Sequence, residues 1–374
     1  MSTTTAFQGA ARASAYVEEA TTGRPHRGIE PAPTVDEPVP VEEPTVETEP
    51  EAPEGEVTDI TSLTATNAPA VARAGWRGLL GRAGIKLAPG AAEQAALERA
   101  ERLRDSERVI RQATFSRAVG ILVGNRKGGV GKTPTSLILG GVLASIRGGS
   151  VAVLEVSDDP GTLTYRAEGS PQRGVGELAV DHRAIASAGQ LASYTAPQTS
   201  FASVIGTTGL RPRLDANDVL HASEVIDRYH QVRVMDSGNQ PSSSAFDGAL
   251  AVTDALVIPV LNSAEAVLEA IALLDHLRAG GDARRRLADT ATVVRLTDGR
   301  VENPQVASRL GKLLDQHHVA QVFDVPFDPH IAERGPITLN QLAPATRDAF
   351  THLAAGVVQT LQAQPITIRN QEKN

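Results

Sequence analysis

The residues with the clearest chemistry are Lys127, Gly128, Gly129, Val130, Gly131, Lys132 and Thr133, which follow the apolar run Ala118 to Val123 and precede a helical stretch. A strand, a glycine-rich turn and a helix in that order aim successive backbone N–H groups and the positive helix end at one point. Phosphate oxygens settle there. Glycine lets the backbone approach an anion closely. In such a loop the Lys132 ammonium reaches the outer phosphates and the Thr133 hydroxyl coordinates magnesium, so the segment predicts a nucleoside triphosphate site. A glycine-rich turn without a nucleotide is the plainer alternative.

Two carboxylate positions belong to the same chemistry. Asp236 follows the strand candidate Val232-Arg233-Val234-Met235, and a carboxylate at the carboxyl end of a strand can hold magnesium directly or through water. A helix-capping aspartate before Ser237 and Gly238 is the structural alternative. The run Leu154 to Gly161 carries Asp158 and Asp159 before Pro160, where one carboxylate can align an attacking water. Asp-Asp-Pro-Gly is equally a good turn.

The elements that must position these groups are legible as short apolar runs alternating with helical stretches. Strands are expected over Ala118 to Val123, Val151 to Val156, Val232 to Met235, Ala255 to Leu261, Ala291 to Leu296 and Val319 to Val325. Helices are expected over Pro134 to Ile146, Ala264 to Ala279, Pro304 to His317 and Pro344 to Gln362. The pattern is that of an α/β domain with a doubly wound, mostly parallel sheet over residues 118–365.

Ahead of it, residues 1–69 form a Pro-rich tail in which every charge from Glu30 to Asp59 is acidic and aromatic residues are absent from that stretch. Such a segment buries too little apolar area to offset its ordering entropy and is expected to be disordered, either as a solubilising tail or as a partner-binding or self-masking one. Residues 70–117 are basic. There Trp76, Leu79 and Leu80 read as a short packing helix. Ala91 to Gln112 reads as a helix whose Ala96, Leu97, Leu103, Val109 and Ile110 form a stripe against the main domain. A nucleic-acid arm is the alternative use of the arginines. Residues 366–374 form a polar tail.

Composition excludes several classes. With no cysteine in 374 residues there is no disulfide framework, thiolate zinc site, iron–sulfur cluster or cysteine nucleophile, in keeping with a cytoplasmic location. His317 and His318 are adjacent and lack metal-ligand spacing. The start of the chain does not read as a secretory signal, and the longest apolar stretch, Ser136 to Ile146, falls far short of the roughly 20 residues that span a bilayer. At a net charge of −8, any contact with DNA must use a local basic patch, for which Arg278, Arg284, Arg285 and Arg286 are the candidates. A solvated arginine run is the bland reading.

The strict G-x-x-x-x-G-K-[ST] loop is not met, because Arg126 stands at the first glycine position. The actual run, Lys127 to Thr133, resembles the deviant loop of the ParA/MinD family of ATPases, over roughly Ala118 to Leu361. The resemblance implies ATP with Mg2+, slow hydrolysis stimulated by a partner protein, and an ATP-dependent homodimer in which Lys127 crosses to the partner's nucleotide. It also implies that Lys132 is catalytic, that Asp159 aligns water with Asp158 as its competitor, and that Thr133 and Asp236 hold the metal. Base contacts fall at Arg295 to Thr297 and at Pro326, Phe327 and Asp328. Where the family has Thr or Ser, Pro134 removes an N–H donor near the α-phosphate, so that affinity is weakened or Thr135 compensates. Two roles follow: positioning of DNA or protein cargo, or an accessory part in type VII secretion. Pro326-Phe327-Asp328-Pro329-His330 is similar to ParA-like proteins of type VII loci. The polar carboxyl end does not resemble a MinD-like membrane anchor.

Overall fold

In the computed structural model the described residues are 90–363. The acidic segment, the basic stretch before Gly90 with Trp76, Leu79 and Leu80, and the polar tail lie outside the described residues. After α1 (Ala91–Gln112) come β1 (Val119–Val123), α2 (Lys132–Arg147) and β2 (Val151–Glu155). Then follow α3 (Leu163–Arg166), α4 (Val175–Asp181), α5 (Ala188–Ala192), β3 (Ala196–Pro197), β4 (Ser203–Ile205) and α6 (Ala216–Asp227). The second half runs β5 (Val232–Asp236), α7 (Ser244–Ala251), β6 (Ala255–Leu261), α8 (Ala264–Arg278), α9 (Asp282–Asp289) and β7 (Thr292–Leu296). It ends with α10 (Pro304–Gln316), β8 (Gln321–Val325), α11 (Pro329–Ala332) and α12 (Pro344–Ala363).

The eight strands form one sheet in the order β3-β4-β2-β5-β1-β6-β7-β8, parallel throughout except for the β3–β4 pair. Helices cover both faces, which is why β1, β2 and β5 are buried at every position and mostly apolar, the buried Arg233 of β5 being paired with Asp227. Period-two alternation divides their side chains. Ile121 and Val123 enter the core with Ile110, Ile138, Phe350 and Leu353, while Leu122 enters the opposite core with Phe246, Leu274 and Leu287. This is the doubly wound α/β class that the sequence pattern predicts.

The six expected strands are present within two residues at each end. The exceptions to the expected plan are short or cap-defined elements. Strands β3 and β4, of two and three residues, are too short to show a period. Helix α6 is marked by a reciprocal cap, in which Asp215 accepts from the Asp218 N–H and Asp218 from the Asp215 N–H, both at 3.0 Å. Helix α2 begins at Lys132, before Pro134, because a proline in the first turn sacrifices no intrahelical hydrogen bond. Among the described residues no helix is long and apolar enough to cross a membrane.

Helix α1 spans the expected residues but docks through only half its length. Ile110 is fully buried, Leu103 and Val109 are half-buried, and Ala96 and Leu97 are exposed. The correction has a simple cause: α1 meets α12 and α2 near its carboxyl end, where Ser106 Oγ lies 2.8 Å from His352 Nδ1 and Arg147 donates to the Ile110 and Ala113 carbonyls. Ile110→Ala is therefore expected to cost about 2–4 kcal/mol and Leu97→Ala less than about 0.5, measured by urea denaturation.

Candidate nucleotide site

Strand β1 lies between β5 and β6, so the connections from β1 and β6 diverge at its carboxyl end. In register, Val123 pairs with Asp236 and Glu155 with Asp236, which brings the ends of β1, β2 and β5 level. A cavity of about 810 Å³ opens there, lined by the loop, Asp236, the segment after β2 and the segments after β7 and β8. This is where open α/β sheets hold ligands.

The loop takes its shape from two glycines and one asparagine. Gly129 and Gly131 have φ of 74° and 91°, and a Cβ on Gly131 would sit 2.4 Å from Leu296 Cδ1. Only glycine fits. Buried Asn125 donates from Nδ2 to the Pro259 carbonyl at 2.9 Å and accepts from the Lys127 N–H at 2.9 Å, tying the loop to β6.

Lys132 curls back inside this loop. Its ammonium donates to the Asn125 and Lys127 carbonyls at 3.1 and 3.0 Å and to Asn239 Oδ1. Burial pushes its pKa down to about 8, against the pull of Asp236. Burial pushes Asp236 up to about 7, opposed first by the hydrogen bond from Thr133 and aggravated by the charge on Glu155. Thr133 Oγ1 donates to Asp236 Oδ2 at 2.7 Å and Ser136 Oγ to Oδ1 at 3.2 Å. A hydroxyl and a buried, under-compensated carboxylate side by side are hard oxygen donors, and they suit Mg2+ completed by phosphate oxygens and water.

The outer basic residues of the loop face α8. Lys127 Nζ lies 2.5 Å from Glu265 Oε1, and Arg126 Nε lies 3.1 Å from Glu269 Oε2, one turn further along. In the single chain Lys127 is thus held by its own helix. Val130 is buried in the core beneath the loop, while Gly128 packs on Asn239. Pro134 and Thr135 line the cavity, and the Thr135 hydroxyl is buried without a partner.

The two acidic residues after β2 differ. Asp159 lines the cavity but is exposed and doubly hydrogen-bonded to Arg213, at 2.9 and 3.1 Å. Asp158 is buried on the cavity wall. The expected base contacts also divide. Thr297, Pro326 and Phe327 line the cavity. Arg295 does not: it binds Asp324 of β8 at 2.6 and 2.8 Å, because Leu296 faces the loop and its neighbour must face α10. Asp328 lines the cavity, but its carboxylate accepts from the His330 and Ala343 N–H groups, both at 2.9 Å, and holds the backbone.

Asn125, Asn239, Ser136 and the Glu265–Glu269 pair escaped sequence reading. Only Ser136 carried a signal, standing three residues after Thr133 on one helix face. Of the basic candidates, Arg278 pairs with Asp275 and Asp289 and Arg284 with Asp247, which leaves Arg285 and Arg286 exposed.

The fold is a doubly wound parallel sheet with a glycine-rich loop between β1 and α2, at the edge where the cavity opens. No protein-family model and no curated protein matches the chain. Among solved structures it is similar to an McdA–ATP complex from Cyanothece, at 16% identity over 68% of this chain and 100% of that one, with a TM-score of 0.48. It is also similar to a ParA family ATPase from Chlorobium tepidum TLS (12% identity, 66% and 97% covered, TM-score 0.49). A third is the cell division ATPase MinD of Pyrococcus furiosus (16% identity, 65% and 99% covered, TM-score 0.49). At these identities and TM-scores, what the cavity does is read from its own residues.

Asp236 gives a test that needs no ligand. Its folded pKa of about 7 exceeds the ordinary 3.8, so the stability it contributes is full below about pH 4 and is lost as the pH rises through 7. Asp236→Asn is expected to stabilise the ligand-free chain at pH 8 by about 2 kcal/mol, a gain that shrinks between pH 7 and 4 in thermal denaturation.

Proposed function

We propose that the chain binds MgATP in this cavity and hydrolyses it slowly, as a switch between a single chain and an ATP-bound dimer that positions DNA or protein cargo. The observation that carries this reading is the buried Lys132–Thr133–Asp236 constellation at the mouth of a glycine loop, on the carboxyl edge of the sheet. Its cation and carboxylate are each held out of water without full compensation, and a bound magnesium–phosphate group supplies the missing charges. When bound, Mg2+ neutralises charge developing on the transferred phosphoryl group. Lys132 orients the outer phosphates, Thr133 and Asp236 hold the metal, and the loop amides from Gly128 to Thr133 cradle the phosphates. Leu296, Thr297, Pro326 and Phe327 supply the walls for a base, and Thr135 stands where Pro134 offers no donor.

The dimer rests on Lys127. Its resemblance to the lysine that crosses between subunits is supported by its partly exposed place, held by an exposed Glu265 that stands three residues before the exposed Leu268 on α8. A second copy that drew Lys127 toward its nucleotide would free α8 as part of the contact. Of the four arginines considered for a DNA patch, Arg285 and Arg286 stay exposed and outside the ion pairs that hold Arg278 and Arg284. That thin patch keeps a protein partner, including an accessory role in a type VII secretion apparatus, as the second reading.

Lys132→Ala is expected to abolish MgATP binding in isothermal titration calorimetry, and an unchanged titration overturns the site. Lys127→Ala is expected to bind MgATP normally, stay monomeric by light scattering with ATP, and lose turnover by about a hundredfold or more. Full turnover by that variant removes the shared-site dimer.

A further inference from the structure

We propose that Asp158, rather than the motif-matched Asp159, is the carboxylate that aligns the attacking water; the inference rests on the MgATP reading above. Asp159 is committed elsewhere. Its side chain is 57% exposed and both of its oxygens are taken by Arg213. Asp159 also lines the cavity, but its carboxylate is held by Arg213 on the exposed side.

Asp158 is 8% exposed and lines the cavity, and its carboxylate has no hydrogen-bond or ion-pair partner among the described residues. Its oxygens sit at the cavity surface rather than sealed in the core, so a water in the cavity can hydrogen-bond to them. Its location is set by what lies opposite. A Cβ on Gly238 would sit 3.2 Å from Asp158 Oδ1, so the carboxylate abuts the turn after β5, whose next residue, Asn239, binds Lys132. Asp158 therefore faces the phosphate end of the cavity rather than the base end.

The backbone carrying it is clamped. Arg211 donates to the Asp158 carbonyl at 2.7 Å, to the Ser157 carbonyl at 3.0 Å and to the Asp159 carbonyl at 3.1 Å, and it pairs with Glu155 at 2.9 Å. Both members of that pair are almost fully buried, 3% and 1% exposed. The Leu214 N–H adds a second bond to the Asp158 carbonyl at 3.1 Å. Glu155 is in register with Asp236, so one clamp ties the segment with Asp158 to the strand level of the metal site. Serine at 157, where the family pattern has its first aspartate, leaves Asp158 as the buried acid of the run.

In the step, the water oxygen forms the new bond to the γ-phosphorus and the β–γ bridging P–O bond breaks, its electron pair leaving on ADP. One water proton stays on inorganic phosphate. The other, hydrogen-bonded to Asp158 during attack, is released to solvent.

The test compares Asp158→Asn, Asp159→Asn and Arg213→Ala in the full chain, with MgATP affinity measured first by calorimetry. A wild-type chain that binds no MgATP sinks the underlying reading, whereas the variants judge this one. Asp158→Asn is expected to lower kcat by about a hundredfold with affinity within about threefold, while the other two keep kcat within about threefold. A comparable loss in Asp159→Asn, or faster turnover in Arg213→Ala as Asp159 is released, overturns the assignment. So does normal turnover by Asp158→Asn. If that variant fails to fold by circular dichroism, Asp158→Glu, which moves the carboxylate by one methylene, is expected to lose at least about tenfold, and full activity in it overturns the assignment equally.

Discussion

The site depends on the parallel seating of β1 between β5 and β6. Because the three strands run the same way and in register, the glycine loop leaves β1 at the level where Asp236 ends β5 and Glu155 ends β2. Two helix layers bury these strands on both sides, so the position of the loop is set by the cores and not by the loop itself. The loop residues then need only local devices. Left-handed glycines shape the turn, and the Asn125 side chain ties it to β6.

At that edge the fold gathers charges that it does not fully balance. Lys132 and Asp236 are both desolvated, and each is stabilised mainly by neutral donors and acceptors. By contrast, Glu155 and Arg211 are equally buried but form a complete pair with extra hydrogen bonds. The difference separates two uses of buried charge. The satisfied pair holds backbone in place, and the unsatisfied groups are left for a ligand that carries complementary charge. Stability is given up at the second kind of position, as active sites commonly require.

The rim shows a further layer of organisation. Arg126 and Lys127 are matched to Glu269 and Glu265 on one face of α8, each pair partly solvated and individually weak. Weak, exposed pairs are suited to exchange, because breaking them costs little when a stronger anion or a second chain competes.

Much of this was readable from residue order. The mostly apolar runs ending at Val123, Glu155 and Asp236 identify buried parallel strands, and Lys127 to Thr133 after the first of them reads as a candidate phosphate loop, because backbone amides and glycine freedom act locally. Helix α1 was legible in its extent but not in its contacts, since periodicity reports a stripe and not which part of it meets a neighbour. Arg295 was misplaced for a related reason: one residue along a strand reverses the face, and sequence does not say which face meets the cavity. The pairing of Lys132 with Asn239, the holding of Lys127 by Glu265 and the contrast between Asp158 and Asp159 join segments far apart in the chain. The sequence by itself determined the strand–loop–helix unit and its glycine-rich turn, whose physics is contained within a few consecutive residues. Which carboxylate after β2 is buried and which is paired was decided only by tertiary structure, because burial and the partners taken by Arg211 and Arg213 exist only once β2, β5 and their loops have packed.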